Sequence, residues 1–193
     1  LQPAPGETDL APPFIIVGLP DTAIRESRER IRAAIKNSGS FFPIHKTTVN
    51  LAPADVRKEG ASFDLPIALA ILGANGDFGN ADNAGSTLSI GELSLDGRVR
   101  PVRGALSIAL AARENGISNL LVPEENATEA AVVQELNVYP IRDLRDAVQL
   151  INGFGSGQPT LIPPMKLDLS EFKSAVTKYG VDFSEVRGQQ TAK

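Results

Sequence analysis

The chain has 193 residues, 42% of them hydrophobic and 22% charged, a balance that suits one globular domain with a tail and excludes a wholly disordered or fibrous polypeptide. Nineteen lysines and arginines against 23 aspartates and glutamates leave a net charge of −4, so any contact with nucleic acid or an anionic membrane has to be local. The lack of cysteine and the single histidine, His45, exclude disulfides, a thiolate metal site and a multi-histidine zinc centre, while 5% aromatic content without tryptophan leaves a core of Ala, Val, Ile and Leu.

Leu1 to Pro13 carries four prolines and no periodic pattern, and reads as an irregular lead-in. Phe14-Ile15-Ile16-Val17 is a β-branched apolar run closed by Gly18-Leu19-Pro20, a short strand entering a turn. Asp21 is placed to cap a helix from Thr22 to Ser38, whose apolar residues Ala23, Ile24, Ile31, Ala34 and Ile35 share one face; Gly39 stops it. The arginines and glutamates of this helix read as a solvated face with i,i+3 and i,i+4 ion pairs. A strand from Thr47 to Leu51 leads into a polar loop, Asp55 to Ser62, and then a helix from Leu65 to Leu72 with Pro66 in its first turn.

Gly73 to Ser86 is loose. Thr87 to Glu92 and Val99 to Val102 then flank a turn containing Asp96-Gly97, the pattern of two antiparallel strands. A helix over Ala105 to Asn115, a strand over Asn119 to Val122, a helix over Thr128 to Leu136, a strand over Val138 to Ile141 and a helix over Leu144 to Ile151 continue the alternation. This is α/β wiring, with a mixed sheet and helices packed on it. Asn152-Gly153 closes the domain at 14–153. Residues 154–181 read as a Gly/Pro-rich linker with a short helix from Asp168 to Gly180, followed by a separate segment at 182–193.

Three long blocks occur in a fixed order: IVGLPDTAIRESRERIRAAIKNSG at 16–39, TVNLAPADVRKEGASFDLPIALAIL at 48–72 and GELSLDGRVRPVRGALSIALAA at 91–112. Together they closely resemble the N-terminal domain of the ComM competence protein family, also described as magnesium-chelatase-like or subunit ChlI-like, over roughly Phe14 to Gly153. The resemblance implies an α+β domain shaped like the protease domain of Lon, two layers with a mixed sheet and helices, similar to the ribosomal-protein-domain-like fold. It further implies attachment to a ring-forming AAA+ ATPase, a hexamer that acts as a helicase on branched DNA in natural transformation and recombination.

In that family the ATPase begins after a segment like Asp182 to Gln189, and the chain stops at Lys193, so the resemblance implies that the motor is missing from it. No G-x-x-x-x-G-K-[ST] occurs, so this chain is expected to bind no cofactor, with ATP and magnesium belonging to the missing module. The expected partners are that module and neighbouring ring subunits, with DNA reached through the parent protein. No apolar run approaches the roughly 20 residues that span a bilayer and no basic-then-apolar leader opens the chain, which predicts a cytoplasmic protein without a membrane partner.

In Lon-type proteases a loop serine attacks the peptide and a lysine accepts its proton. Ser62, in KEGASFD, matches the serine's place, and Leu106, in PVRGALSIALAA, stands where the lysine would be. Leucine accepts no proton, so the resemblance implies a domain without catalytic residues, with Ser62 capping the following helix or tying down its loop. Arg57, Lys58, Arg98, Arg100 and Arg103 are less balanced by acids and form a candidate phosphate or subunit contact. A Lon-like peptidase using Ser62 and a DNA-contacting or oligomerisation module are the competing readings. His45, Glu92, Asp96 and Glu124-Glu125 are read as surface or turn residues without catalytic or metal roles.

Overall fold

The computed structural model describes residues 13–18, 22–53, 60–79, 85–157 and 159–168. Asp21, Arg57, Lys58, the helix expected over most of 168–180 and the 182–189 segment lie outside them.

Strands β1 (Phe14–Val17) and β2 (Thr47–Asn50) pair in parallel, joined by helix α1 (Thr22–Asn37). Helix α2 (Asp64–Asn75) is apolar almost all round and buries Leu65, Ile67, Ala68, Leu69, Ile71 and Leu72, each large side chain contributing roughly 1.5 to 3 kcal/mol. A second parallel sheet has the order β3 (Thr87–Ser89), β6 (Asn119–Pro123), β7 (Asn137–Ile141), with an antiparallel hairpin of β4 (Glu92–Leu93) and β5 (Val99–Arg100) between β3 and helix α3 (Ala105–Glu114). Helices α4 (Ala127–Ala130) and α5 (Leu144–Gly153) follow β6 and β7. The α/β class holds. The three-stranded sheet carries helices on both faces, three layers here rather than two.

Alternation along the strands divides the core. Leu121, Tyr139 and Ile141 face α1, α2, α5 and the first sheet, whereas Leu120, Val122 and Val138 face α3 and α4. Two sequence expectations change. The strand expected over Thr87 to Glu92 is broken after Ser89, because Gly91 (φ 159°) turns the chain. A Cβ there would collide with the Val99 side chain, so the first half joins the parallel sheet and only Glu92–Leu93 enters the hairpin. The helix expected over Thr128 to Leu136 shrinks to Ala127–Ala130, since the β-branched pair Val132-Val133 disfavours continuation and Glu135 turns out at φ 71°.

The hairpin is docked as well as paired. Val99 N donates to Arg142 O (2.8 Å) and Leu144 N to Gly97 O (2.9 Å), which fixes it against the end of β7. Residues 159–168, inside the stretch read as a linker, lie against the domain. Met165 N donates to Val138 O (2.7 Å) at the β7 edge, Ile162 packs on one side of the core and Leu167 on the other.

Candidate functional site

The residues of interest gather where the parallel strands end. Ser62 lies in a 3-10 turn, Ala61–Phe63, that runs directly into α2. Its carbonyl accepts from Gly91 N (3.1 Å), just past β3, and Gly91 O accepts from Leu65 N (3.0 Å). The capping expectation is therefore corrected. Phe63 occupies the N-cap position of α2 with no side-chain cap, and Ser62 ties the turn to the sheet through its carbonyl, because the helical run already includes it. The half-buried Ser62 hydroxyl has no hydrogen-bond partner among the described residues.

Leu106 is the second residue of α3 and is 37% exposed. Its amide donates to Glu129 Oε1 (3.0 Å), a carboxylate at the helix start where it suits the dipole. Asn126, directly after β6, holds the approach to α3 by accepting from Val102 N (2.9 Å) and donating to Val102 O (3.0 Å). Ser62 and Leu106 thus both belong to the carboxyl end of the β3–β6–β7 sheet, the end at which open α/β sheets offer their crevices.

Beside Ser62 lies a feature that the sequence reading missed. Asp64 is fully buried and accepts from Arg30 Nε (2.8 Å), Arg30 Nη2 (3.2 Å) and Leu93 N (3.2 Å), joining α1, α2 and β4 at one carboxylate. The hydrogen bond to Asp64 holds the Arg30 guanidinium above its ordinary pKa. Arg30 also donates to the buried Ser27 (3.1 Å), so it is no member of a solvated face. Arg32 stacks over Phe42 at 4.6 Å, and among the described residues neither Glu26 nor Glu29 makes an ion pair. A signal existed: Ile24, Ser27, Ile31 and Ala34 recur three to four residues apart, which places Ser27 and adjacent Arg30 at the inward edge.

Of the five basic residues, Arg98 and Arg100 come together. They line a polar cleft of about 630 Å3 with Ser94, Glu124, Glu125 and Arg142, at the ends of β6 and β7. Arg98 Nε lies 3.4 Å from Asp96, and Arg100 Nε donates to Ser94 Oγ (2.8 Å). Arg142 is held above its ordinary pKa by the hydrogen bond to Asp146 (3.0 Å). Exposed Arg103 lies outside the cleft. The expected shortage of acids is corrected for Arg98 and Arg100, because the fold brings Glu124 and Glu125, distant in sequence, to the same cleft. His45 is exposed in the bend before β2, and no helix among the described residues is long and apolar enough to cross a membrane.

A family model described as "Subunit ChlI of Mg-chelatase" matches residues 7–126, well over half of the chain. Competence protein ComM of Haemophilus influenzae is 38% identical over 185 residues, covering 94% of this chain and 35% of the relative. The uncharacterized protein YifB of Salmonella typhimurium is 38% identical over 182 residues, covering 94% and 34%. Lon protease of Buchnera aphidicola is 26% identical over 134 residues, covering 67% and 16%. The chain spans about a third of the length of the first two relatives. With the family model and the two relatives in agreement, the chain belongs to the ComM, magnesium-chelatase-like (subunit ChlI) family.

Proposed function

We propose that this chain is the non-catalytic N-terminal domain of a ComM-type, ring-forming AAA+ ATPase that works in the cytoplasm as a DNA helicase in natural transformation and recombination. The observation that carries the reading is Leu106. By the resemblance it takes the place of the lysine that Lon-type chemistry needs; its amide is engaged by Glu129, and the Ser62 hydroxyl has no partner among the described residues to take its proton. The domain's part is then to assemble and position the motor. ATP and magnesium belong to the ATPase module, since this sequence contains no phosphate-binding loop of the G-x-x-x-x-G-K-[ST] form.

A second reading, peptide hydrolysis through Ser62, draws support from the similarity to Lon protease. A fluorogenic peptide assay separates the two. Equal, background-level turnover by the wild-type chain and Ser62→Ala supports an accessory domain. Turnover that disappears with the hydroxyl would replace it with a peptidase.

A further inference from the structure

The outer face of α3 leaves Leu106 and Leu110 exposed one turn apart, and Val132, just past α4, is exposed as well. Both segments run from the carboxyl to the amino end of the sheet, α3 into β6 and α4 out of it, and Glu129 joins them at the Leu106 amide. Leu110 and Val132 each lie about one turn beyond that junction, which groups the three apolar side chains on one surface. Apolar side chains grouped in this way mark a contact surface, where single ones would not.

The chain passes beside this surface. Met165 Sδ accepts from Thr128 Oγ1 of α4 (3.9 Å), Leu167 packs against the α3–α4 core, and a cavity of about 300 Å3 opens between Met165–Leu167 and residues 131–137. Residues 169–180 lie outside the described ones, but their sequence has a helical pattern. Asp168 and Glu171 form a helix-start pair and Gly180 a stop, while Leu169, Phe172, Val176 and Tyr179 recur at i, i+3, i+7 and i+10 with Glu171 and Lys178 on the opposite side. At 1.5 Å per residue such a stripe spans roughly 15 Å, enough to reach from α4 across a helix spacing of about 8 to 10 Å to α3.

We propose that residues 169–179 fold as a helix onto this surface, Leu169 and Phe172 at the cavity beside Leu167, Val176 and Tyr179 against Val132 and Leu110. Leu169 follows the docked Leu167 by two residues, so the segment is held at roughly millimolar local concentration, ahead of a second copy or a free partner in dilute solution. Leu106 continues the surface, and a lysine there would bring a charge into the contact. The contact sets the point from which the chain beyond Gly180 departs, and it does not rest on the accessory-domain reading.

Hydrogen exchange on the full chain tests it. An isolated helix of this length is marginal in water, so amides of 172–179 should exchange at least about tenfold more slowly in the chain than in a peptide of residues 168–180. The protection should be unchanged over about a hundredfold dilution, because the segment is tethered. Leu110→Asp and Phe172→Asp should each remove it while exchange in α1 and α2 stays as in wild type, which shows that both variants are folded. Free-peptide rates in the wild-type chain, protection that survives Leu110→Asp, or protection that fades on dilution and so belongs to a second copy would each overturn the proposal. Free-peptide rates leave the accessory-domain reading standing, whereas Ser62-dependent peptide turnover would remove that reading and leave this contact untouched.

Discussion

The two faces of the β3–β6–β7 sheet are packed by different chemistry. Toward α1, α2 and α5 the core is built from long aliphatic side chains with Phe14, Phe42 and Tyr139, and it borders the ion pair of partly exposed Arg30 with buried Asp64. Toward α3 and α4 it contains Ala105, Ala109, Ala112, Ala127, Ala130 and Ala131, and its polar anchor is the neutral Asn126. Small side chains let helices approach a sheet closely, and a closely packed layer has little room to give. The first side is held by burial and one charged junction, the second by fit.

The largest test of that contrast is Asp64→Ala. It leaves Arg30 without its carboxylate and the Leu93 amide without its acceptor, and should cost about 3 to 5 kcal/mol in urea unfolding. A loss under about 1 kcal/mol would mean that water replaces the carboxylate and the junction is not an anchor. On the other side, Ala109→Leu forces a larger side chain into the alanine layer and should cost about 1 to 3 kcal/mol in the same measurement. A neutral result would reveal slack between α3 and the sheet.

The smallest effect separates the faces by pH. Burial holds the Tyr139 hydroxyl above its ordinary pKa. The stabilisation tied to the neutral phenol is complete below about pH 10, the unfolded value, and is lost as pH rises through the higher folded value. Tyr139→Phe should therefore flatten the alkaline decline in stability, and an unchanged slope above pH ~10 would show that other groups govern it.

The sequence is most readable where local signals act alone. The apolar spacing and Gly39 mark α1 to within a residue, Asp-Gly marks the hairpin turn, and Gly116 marks the end of α3. Four features depended on groups far apart in the chain. Asp64 meets Arg30 34 residues earlier, and the capping expected of Ser62 gives way to a backbone bond with Gly91. Glu124 and Glu125 line the same cleft as Arg98 and Arg100 only after the hairpin folds over the ends of β6 and β7. Gly91 reads as an ordinary strand residue until the Val99 side chain is packed against it. Position 106 is the opposite case, since the leucine there is read directly from the sequence and its assignment to the lysine's place rests on the resemblance alone.

The bridge between Met165 and Val138 gives the domain a mechanically stiff exit. With Ile162 and Leu167 seated on opposite sides of the sheet, residues 162–167 form a clamp at its edge. A pull on Asp168 therefore reaches β7 through the Met165 bridge.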